Sequence, residues 1–376
     1  MYPVIACTDK YLLVSTLNKT CLLYDLTAEK HLPLVLESTA QKEKEVDLEA
    51  KGVVLHAAFS NNSLHFALCN DYKQLLLYSS TTLGENKSSP WKLSSTRSTA
   101  KKGVKVEFAP DDKSLVIADK LGVVTQYSVD DPDKEGVILL GHISVLLDCK
   151  FICSGQYLAT CDRDEKIRIS FYPNTFEIQA FCLGHRKHVT SLAEAEPWLV
   201  SGSGDGTVKL WDPETGKLLS EHHCHGDRIV QQIVYMKEAK KVICLLNDCN
   251  RLLGLSIESN SGNAFFQKHV EEMDLTAPAL AFCKYSENSL IVLVNNSKKP
   301  LESLSVGINS SSALPCLSSI CQHLESLWSS MAGAADLQRA FHADITKMDM
   351  LSIEQSGKKL KVDSTHANSS CLPQPT

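Results

Sequence analysis

The dipeptide Gly-His occurs at Gly141-His142 and again 43 residues later at Gly184-His185, and behind each copy the residue types follow in the same order. The second copy, GHRKHVTSLAEAEPWLVSGSGDGTVKLWD, closes on Trp211-Asp212. LATCDRDEKIRISF from the first aligns without a gap under its LVSGSGDGTVKLWD, which sets Thr160 under Ser201 and Asp164 under Asp205. A recurrence of about 40 to 45 residues constrains a fold more than composition does: each repeat is one supersecondary unit that buries its apolar faces only against its neighbours. Each copy places β-rich, alternating runs on either side of a polar turn, so the unit is a small antiparallel sheet.

The second copy looks like a WD repeat. In such a repeat a loop His, a strand Ser, a turn Asp and a Trp form a buried hydrogen-bond chain, here His185, Ser201, Asp205 and Trp211. Buried polar groups require partners, so these residue types come as a set. In the first copy Ser170 stands where Trp211 should be, and Asp164 is expected in the chain. Fainter copies surround Asn18, Asp71, Lys120 and Asp248, and a seventh begins near Leu280. The expected fold is all-β, a seven-bladed WD-repeat β-propeller over residues 1–306, with Pro3 to Cys7 supplying the last blade's outer strand and closing the ring. Two polar insertions, Glu29 to Gly52 and Ser80 to Gly103, read as solvated loops that connect or lengthen outer strands.

Beyond the seventh blade, Leu317, Ile320, Leu324, Leu327, Trp328 and Met331 recur at helical spacing, and a second short amphipathic stretch runs from Asp336 to Met350. Residues 307–350 are therefore expected to be a short helical segment packing on the propeller. Residues 351–376 are polar and aperiodic, and are expected to be a disordered tail.

No catalytic, cofactor or metal residue is assigned. Gly202-Ser203-Gly204-Asp205-Gly206 has the form of a cofactor-cradling loop, but such loops open a helix, whereas Thr207 to Trp211 alternates as a strand does. His222, His223, Cys224 and His225 are adjacent and cannot all face one ion; His225 falls at the place of the loop histidine. Cys321 and His323 lack a third member for a nucleophilic triad. The longest apolar runs fall short of the roughly 18 residues of a spanning helix, and no signal peptide is evident, so the chain is expected to be soluble, inside the cell and without membrane contact. Fourteen cysteines, at strand positions such as Cys69 and Cys244, then read as reduced core residues.

Charge speaks to partners. A net charge of −6 argues against a protein that grips phosphates unaided, so nucleic-acid contact would be assisting. Local basic clusters occur at Lys92, Arg97, Lys101, Lys102 and Lys105, and at Lys358, Lys359 and Lys361. Setting Gly122 under Gly206 places Asp119-Lys120 in the turn positions that Asp162-Arg163 occupy one blade later, so Lys120 and Arg163 are expected to form an exposed basic ridge beside Asp164 and Glu165. Lys166 and Arg168 alternate with Ile167 and Ile169 and lie on the opposite side of their strand. Arg168 is expected to pair with Asp164, Glu165 or a neighbouring blade.

In that order, ADKLGVV, GHISVLLD, CDRDEKIRIS, FCLGH and SGSGDGTVKLW resemble the non-catalytic WD-repeat subunit of the eukaryotic tRNA guanine-N7 methyltransferase. The resemblance implies a scaffold rather than an enzyme. It would hold a separate catalytic subunit as a heterodimer; that subunit binds S-adenosylmethionine and forms N7-methylguanosine in the variable loop of tRNA. It also implies that tRNA is reached mainly through the partner, that the protein works in the nucleus, with the cytoplasm as a further site, and that contacts fall on Lys120, Arg163, Asp164, Glu165, Lys166 and Arg168. The alternative is a general adaptor such as a ubiquitin-ligase substrate receptor, which would often show Arg two places after Trp-Asp; here Pro213 and Glu214 follow Asp212.

Overall fold

The structure, a computed structural model, describes residues 3–15, 21–32, 53–80, 90–224, 226, 228–260, 263–296, 298–306, 317–318, 320–322 and 324–325. The second strands of the blades are apolar on both faces: SLVIAD (Ser114–Asp119) and YLATCD (Tyr157–Asp162) are buried throughout. A strand of that kind needs cover on both sides, which a single sheet facing water cannot supply. Among the described residues the chain answers with seven antiparallel sheets, six of four strands and one of three, every strand bonded to its neighbours in sequence. The inner strands are Val4–Cys7, Val54–Phe59, Gly103–Phe108, Leu146–Ile152, Val189–Ala195, Val230–Met236 and Ala279–Ser286.

Successive blades of this seven-bladed β-propeller share an apolar cluster. Val116, Ala118, Cys149 and Leu158 fill the seam between blades three and four, and Ile167, Ile169, Val189 and Trp211 the seam between four and five. The ring closes in the same way, with Leu12, Val14 and Leu22 of blade one against Leu280, Ile291 and Leu301 of blade seven. Closure by a shared strand is not what occurs. Val4–Cys7 pairs with Tyr11–Ser15 as the inner strand of its own blade, since its short, mostly apolar run fits the buried centre rather than the rim. The seam is held instead by apolar packing and by the Cys7 thiol donating to the Lys284 carbonyl at 3.1 Å.

Helical residues 317–318, 320–322 and 324–325 seal that seam. Leu317, Ile320, Cys321 and Leu324 are buried in the cluster that joins blades seven and one, the i, i+3, i+4, i+7 face of a helix. Leu327, Trp328, Met331, the stretch from Asp336 to Met350 and residues 351–376 lie outside the described residues, as do 33–52 and 81–89. The second polar insertion is shorter than its composition suggests, because Trp91–Ser98 is the outer strand of blade two, anchored by Trp91 at 3% exposure. None of the described cysteines forms a disulfide. Burial pushes the thiols of Cys21 and Cys69 up to about 12.

Each inner strand of blades two to seven slips register by one residue near its start. Such a bulge re-aims a side chain. His56, Lys105, Asp148, Ser191 and Gln232 are thereby turned across the seams. His56 Nδ1 accepts from Val106 N at 3.3 Å, Asp148 Oδ2 from Leu192 N at 2.8 Å, Ser191 Oγ from Ile233 N and Gln232 Oε1 from Phe282 N, both at 3.2 Å. Lys105 Nζ reaches Asp148 Oδ1 at 3.0 Å. This polar belt ties blade to blade and lines a central cavity of about 260 Å³.

Candidate partner-docking face

In an antiparallel four-stranded blade the turn between the second and third strands and the loop leading to the next blade emerge on one face. On that face stand His185, Asp205 and the charges of blade four. In blade five His185 Nδ1 lies 3.0 Å from Asp205 Oδ2 and Nε2 lies 2.7 Å from Ser201 Oγ, while Trp211 Nε1 donates to Ser201 Oγ at 2.8 Å. The carboxylate only accepts, so Nδ1 donates to it and Nε2 is left to accept from the Ser201 hydroxyl. Asp205 also accepts from Thr207 Oγ1 at 2.6 Å and from Arg186 N at 2.8 Å. Burial disfavours ionisation of Asp205, but the bonds from His185, Thr207 and Arg186 outweigh it and hold the carboxyl well below the usual carboxylate range. The Gly202–Gly206 stretch spans the end of Trp198–Ser203 and the turn into Thr207–Trp211, two antiparallel strands, not a helix start. Gly204 is there for closeness: a Cβ would sit 2.3 Å from the His188 ring.

Blade four builds the same chain with a different acid. Asp162, 2% exposed, receives His142 Nδ1 at 2.9 Å and Lys166 N at 3.1 Å, and His142 Nε2 sits 2.8 Å from Thr160 Oγ1. Asp164, which the gapless alignment puts in this role, is 45% exposed and lies 3.3 Å from Arg163 Nε. The reason is local: Asp162 is the last residue of its strand and points inward, whereas Asp164 is the second residue of the turn. The signal was present in the sequence, since His142 to Asp162 and His185 to Asp205 are both spaced by 20.

The expected ridge is likewise divided. Lys120 is exposed. Arg163 has a side chain only 16% exposed and is engaged with Asp164. Glu165, at φ 71°, and Lys166 are exposed beside them. Arg168 pairs with neither Asp164 nor Glu165. Its guanidinium donates to Ser170 Oγ at 2.9 Å, Thr175 O at 2.6 Å and Gly141 O at 3.5 Å, the last of these on blade three. Ser170 occupies the Trp position, so Arg168 bonds the hydroxyl that replaces the indole. Burial lowers the pKa of Arg168.

Apolar side chains on this face escaped the sequence reading. Leu121 is 58% exposed and Ile143 wholly so. They are neighbours, because His142 N donates to Gly122 O at 2.8 Å and Gly122 packs on the carbonyls of His142 and Ser144. Leu183, exposed, stands opposite Lys166 in the strand register. Of the first basic cluster, Arg97 is buried, donating to Pro132 O and Asp131 O, and Lys105 is committed to Asp148; Lys92 and Lys101 are exposed and Lys102 half-buried. His222 and His223 end the outer strand Leu218–His223, and His225 lies outside the described residues. Among the described residues no three His, Cys, Asp or Glu side chains gather as metal ligands, and no helix is long and apolar enough to cross a membrane.

The model of one protein family, the tRNA methyltransferase TRM82 WD40 domain, matches residues 124–314. The chain is 36% identical over 231 residues to the tRNA (guanine-N(7)-)-methyltransferase non-catalytic subunit wdr4 of Danio rerio, covering 57% of this chain and 54% of that protein. Against the protein of the same name from Dictyostelium discoideum it is 30% identical over 289 residues, 70% of this chain and 59% of that one. The chain thus spans about half the length of the curated relatives it matches. A chain in the Crystal Structure of Mitotic Checkpoint Complex superposes with a TM-score of 0.63 over 81% of this chain and 90% of that one, at 13% identity, a likeness of fold alone.

Proposed function

Because the chain belongs to the tRNA methyltransferase TRM82 WD40 domain family, we propose that it is a non-catalytic scaffold that binds and stabilises a separate tRNA (guanine-N7)-methyltransferase subunit. The observation that carries the reading is the family match itself. It begins within blade three and takes in all of blade four, where exposed charges and exposed apolar side chains lie side by side. S-adenosylmethionine and the methyl transfer belong to the partner, which forms N7-methylguanosine in the variable loop of tRNA as one half of a nuclear heterodimer.

The docking contacts fall on Lys120, Arg163, Asp164, Glu165 and Lys166, around the apolar pair Leu121 and Ile143. Apolar side chains at the centre with charges at the rim is the usual division of labour in an interface, the first supplying affinity and the second orientation and rate. Arg168 serves the same face from behind, by fixing blade four to blade three. Co-purification with the catalytic subunit tests the reading. Changing Lys120→Glu together with Lys166→Glu leaves the melting temperature unchanged and weakens the complex more than tenfold, since loss of a desolvated charge pair costs about 2 to 5 kcal/mol. Stoichiometric recovery of the partner by this variant at moderate salt would place the docking face elsewhere. Failure of the unaltered chain to recover any methyltransferase would end the scaffold reading.

A further inference from the structure

The polar belt encloses a cavity of about 260 Å³ on the propeller axis, and all seven inner strands contribute to its wall. Leu55, Val104 and Leu147, each half-buried, give that wall an apolar part. Lys120 also lines it, so the cavity reaches the turn of blade three on the candidate docking face. Its size is a little under the roughly 300 Å³ at which small-molecule pockets begin, so only a small occupant fits.

The chemistry of the wall follows from which groups the belt has already used. Ser191 Oγ accepts from Ile233 N, which leaves its O–H to donate. His56 Nδ1 accepts from Val106 N, so the ring proton sits on Nε2, which has no acceptor within reach among the described residues. Burial, and then the charges of Lys105 and Lys150, push the His56 pKa well below its ordinary value, so the ring is a neutral donor at neutral pH. Lys105 Nζ gives one proton to Asp148 Oδ1 and keeps others. Burial works against the charge on Lys105, but Asp148 and Glu107 outweigh it and hold its pKa above the ordinary value. The acceptors, by contrast, are occupied. Asp148, the one acid among the described lining residues, has Oδ1 engaged by Cys149 N and Lys105, and Oδ2 by Leu192 N. The Gln232 amide is engaged at both ends by the Phe282 backbone.

A wall with donors left over and acceptors occupied does not suit a cation. Two lysines, Lys105 and Lys120, against one aspartate leave the lining net positive in a chain of net charge −6. We infer that the central cavity binds a small organic anion, a carboxylate or phosphate group on a compact apolar body, with donors drawn from Lys105, Lys120, His56 and Ser191. The lysines supply charge-assisted bonds, roughly twice as strong as neutral ones, and the body rests on Leu55, Val104 and Leu147. The inference goes beyond the scaffold reading and does not depend on it, since the cavity is built by this chain alone.

Isothermal titration calorimetry on the full chain tests it, with phenyl phosphate, benzoate and uncharged benzyl alcohol as probes. Each oxyanion binds saturably at one equivalent, and benzyl alcohol binds about tenfold more weakly or less, because it cannot use the lysine charges. The tighter of the two oxyanions identifies the head group as phosphate or carboxylate. Lys120→Gln, at an exposed side chain, melts as the unaltered chain does and weakens both oxyanions about three- to tenfold, with benzyl alcohol unaffected. Lys105→Met removes the deeper charge and abolishes oxyanion binding. That variant also breaks the pair with Asp148, so the position of the ligand is read separately in the unaltered chain labelled with ¹⁵N-histidine. The His56 Nε2 signal, assigned by its absence in His56→Gln, moves as phenyl phosphate saturates the protein. No saturable binding of either oxyanion, equal affinity for benzyl alcohol, affinities unchanged by both lysine variants, or saturation that leaves the His56 signal in place would overturn the inference.

Discussion

Replacing Asp162 and Asp164 separately by Ala discriminates between two accounts of blade four. Asp162 is buried and holds two donors, His142 Nδ1 and Lys166 N; the His142 side chain is itself only 6% exposed. Asp162→Ala strands both donors, at about 1 to 3 kcal/mol for each unsatisfied group, so the loss is roughly 2 to 6 kcal/mol. For a domain of this size each kcal/mol moves the melting temperature by about 2 °C, which gives a fall on the order of 4 to 12 °C. Asp164 is 45% exposed and pairs with Arg163 at 3.3 Å. An exposed pair contributes about 0 to 1 kcal/mol, so Asp164→Ala shifts the melt by no more than about 2 °C. Thermal unfolding followed by circular dichroism at neutral pH reads both. Equal falls, or a larger fall for Asp164→Ala, would refute the assignment of Asp162 to the buried chain and restore the gapless alignment.

Arg168→Leu removes donors to Ser170, Thr175 and Gly141 and leaves the buried Ser170 hydroxyl without its guanidinium partner, so the free propeller loses about 2 to 4 kcal/mol in urea unfolding; an unchanged midpoint would return Arg168 to the surface. Acid provides another check. The Asp205 carboxyl is depressed in the folded state, below an unfolded value of about 3.9, so its contribution is complete above that pH and is lost as pH falls through the folded value. The difference in unfolding free energy between the unaltered chain and Asp205→Asn is therefore constant from neutral pH to about 5 and narrows below about 4; a difference that widens toward acid would contradict the bonding of Asp205.

The period was the most legible feature of the sequence because it is carried by backbone geometry. Every blade needs a turn at the same place, and Gly122, Glu165 and Gly206 all take positive φ there, at 89°, 71° and 78°. The helical residues around Leu317 to Leu324 were legible for a similar reason, the buried ones among those described following one face. What the sequence hid depends on which way a side chain turns. Asp162 and Asp164 are two residues apart with the same chemistry, and only the end of the strand decides which one is buried. The polar belt was hidden because one polar residue in an apolar inner strand carries no local signal; the signal is its recurrence at His56, Lys105, Asp148, Ser191 and Gln232. Ring closure was misjudged because both an outer strand and an inner strand read as a short β-prone run, and the choice is settled by contacts far apart in sequence. On the candidate docking face the charges stand out by their density, whereas Leu121 and Ile143 look like core residues until the turn exposes them.

The central claim is that this chain supports methyl transfer without performing it. Transfer of labelled methyl from S-adenosylmethionine to a tRNA transcript, measured with the chain alone, with the catalytic subunit alone and with both, addresses it directly. No incorporation is expected from the chain alone, and more incorporation at the variable-loop guanine from the pair than from the catalytic subunit alone. Incorporation by the chain alone, or equal incorporation with and without it, would contradict the account.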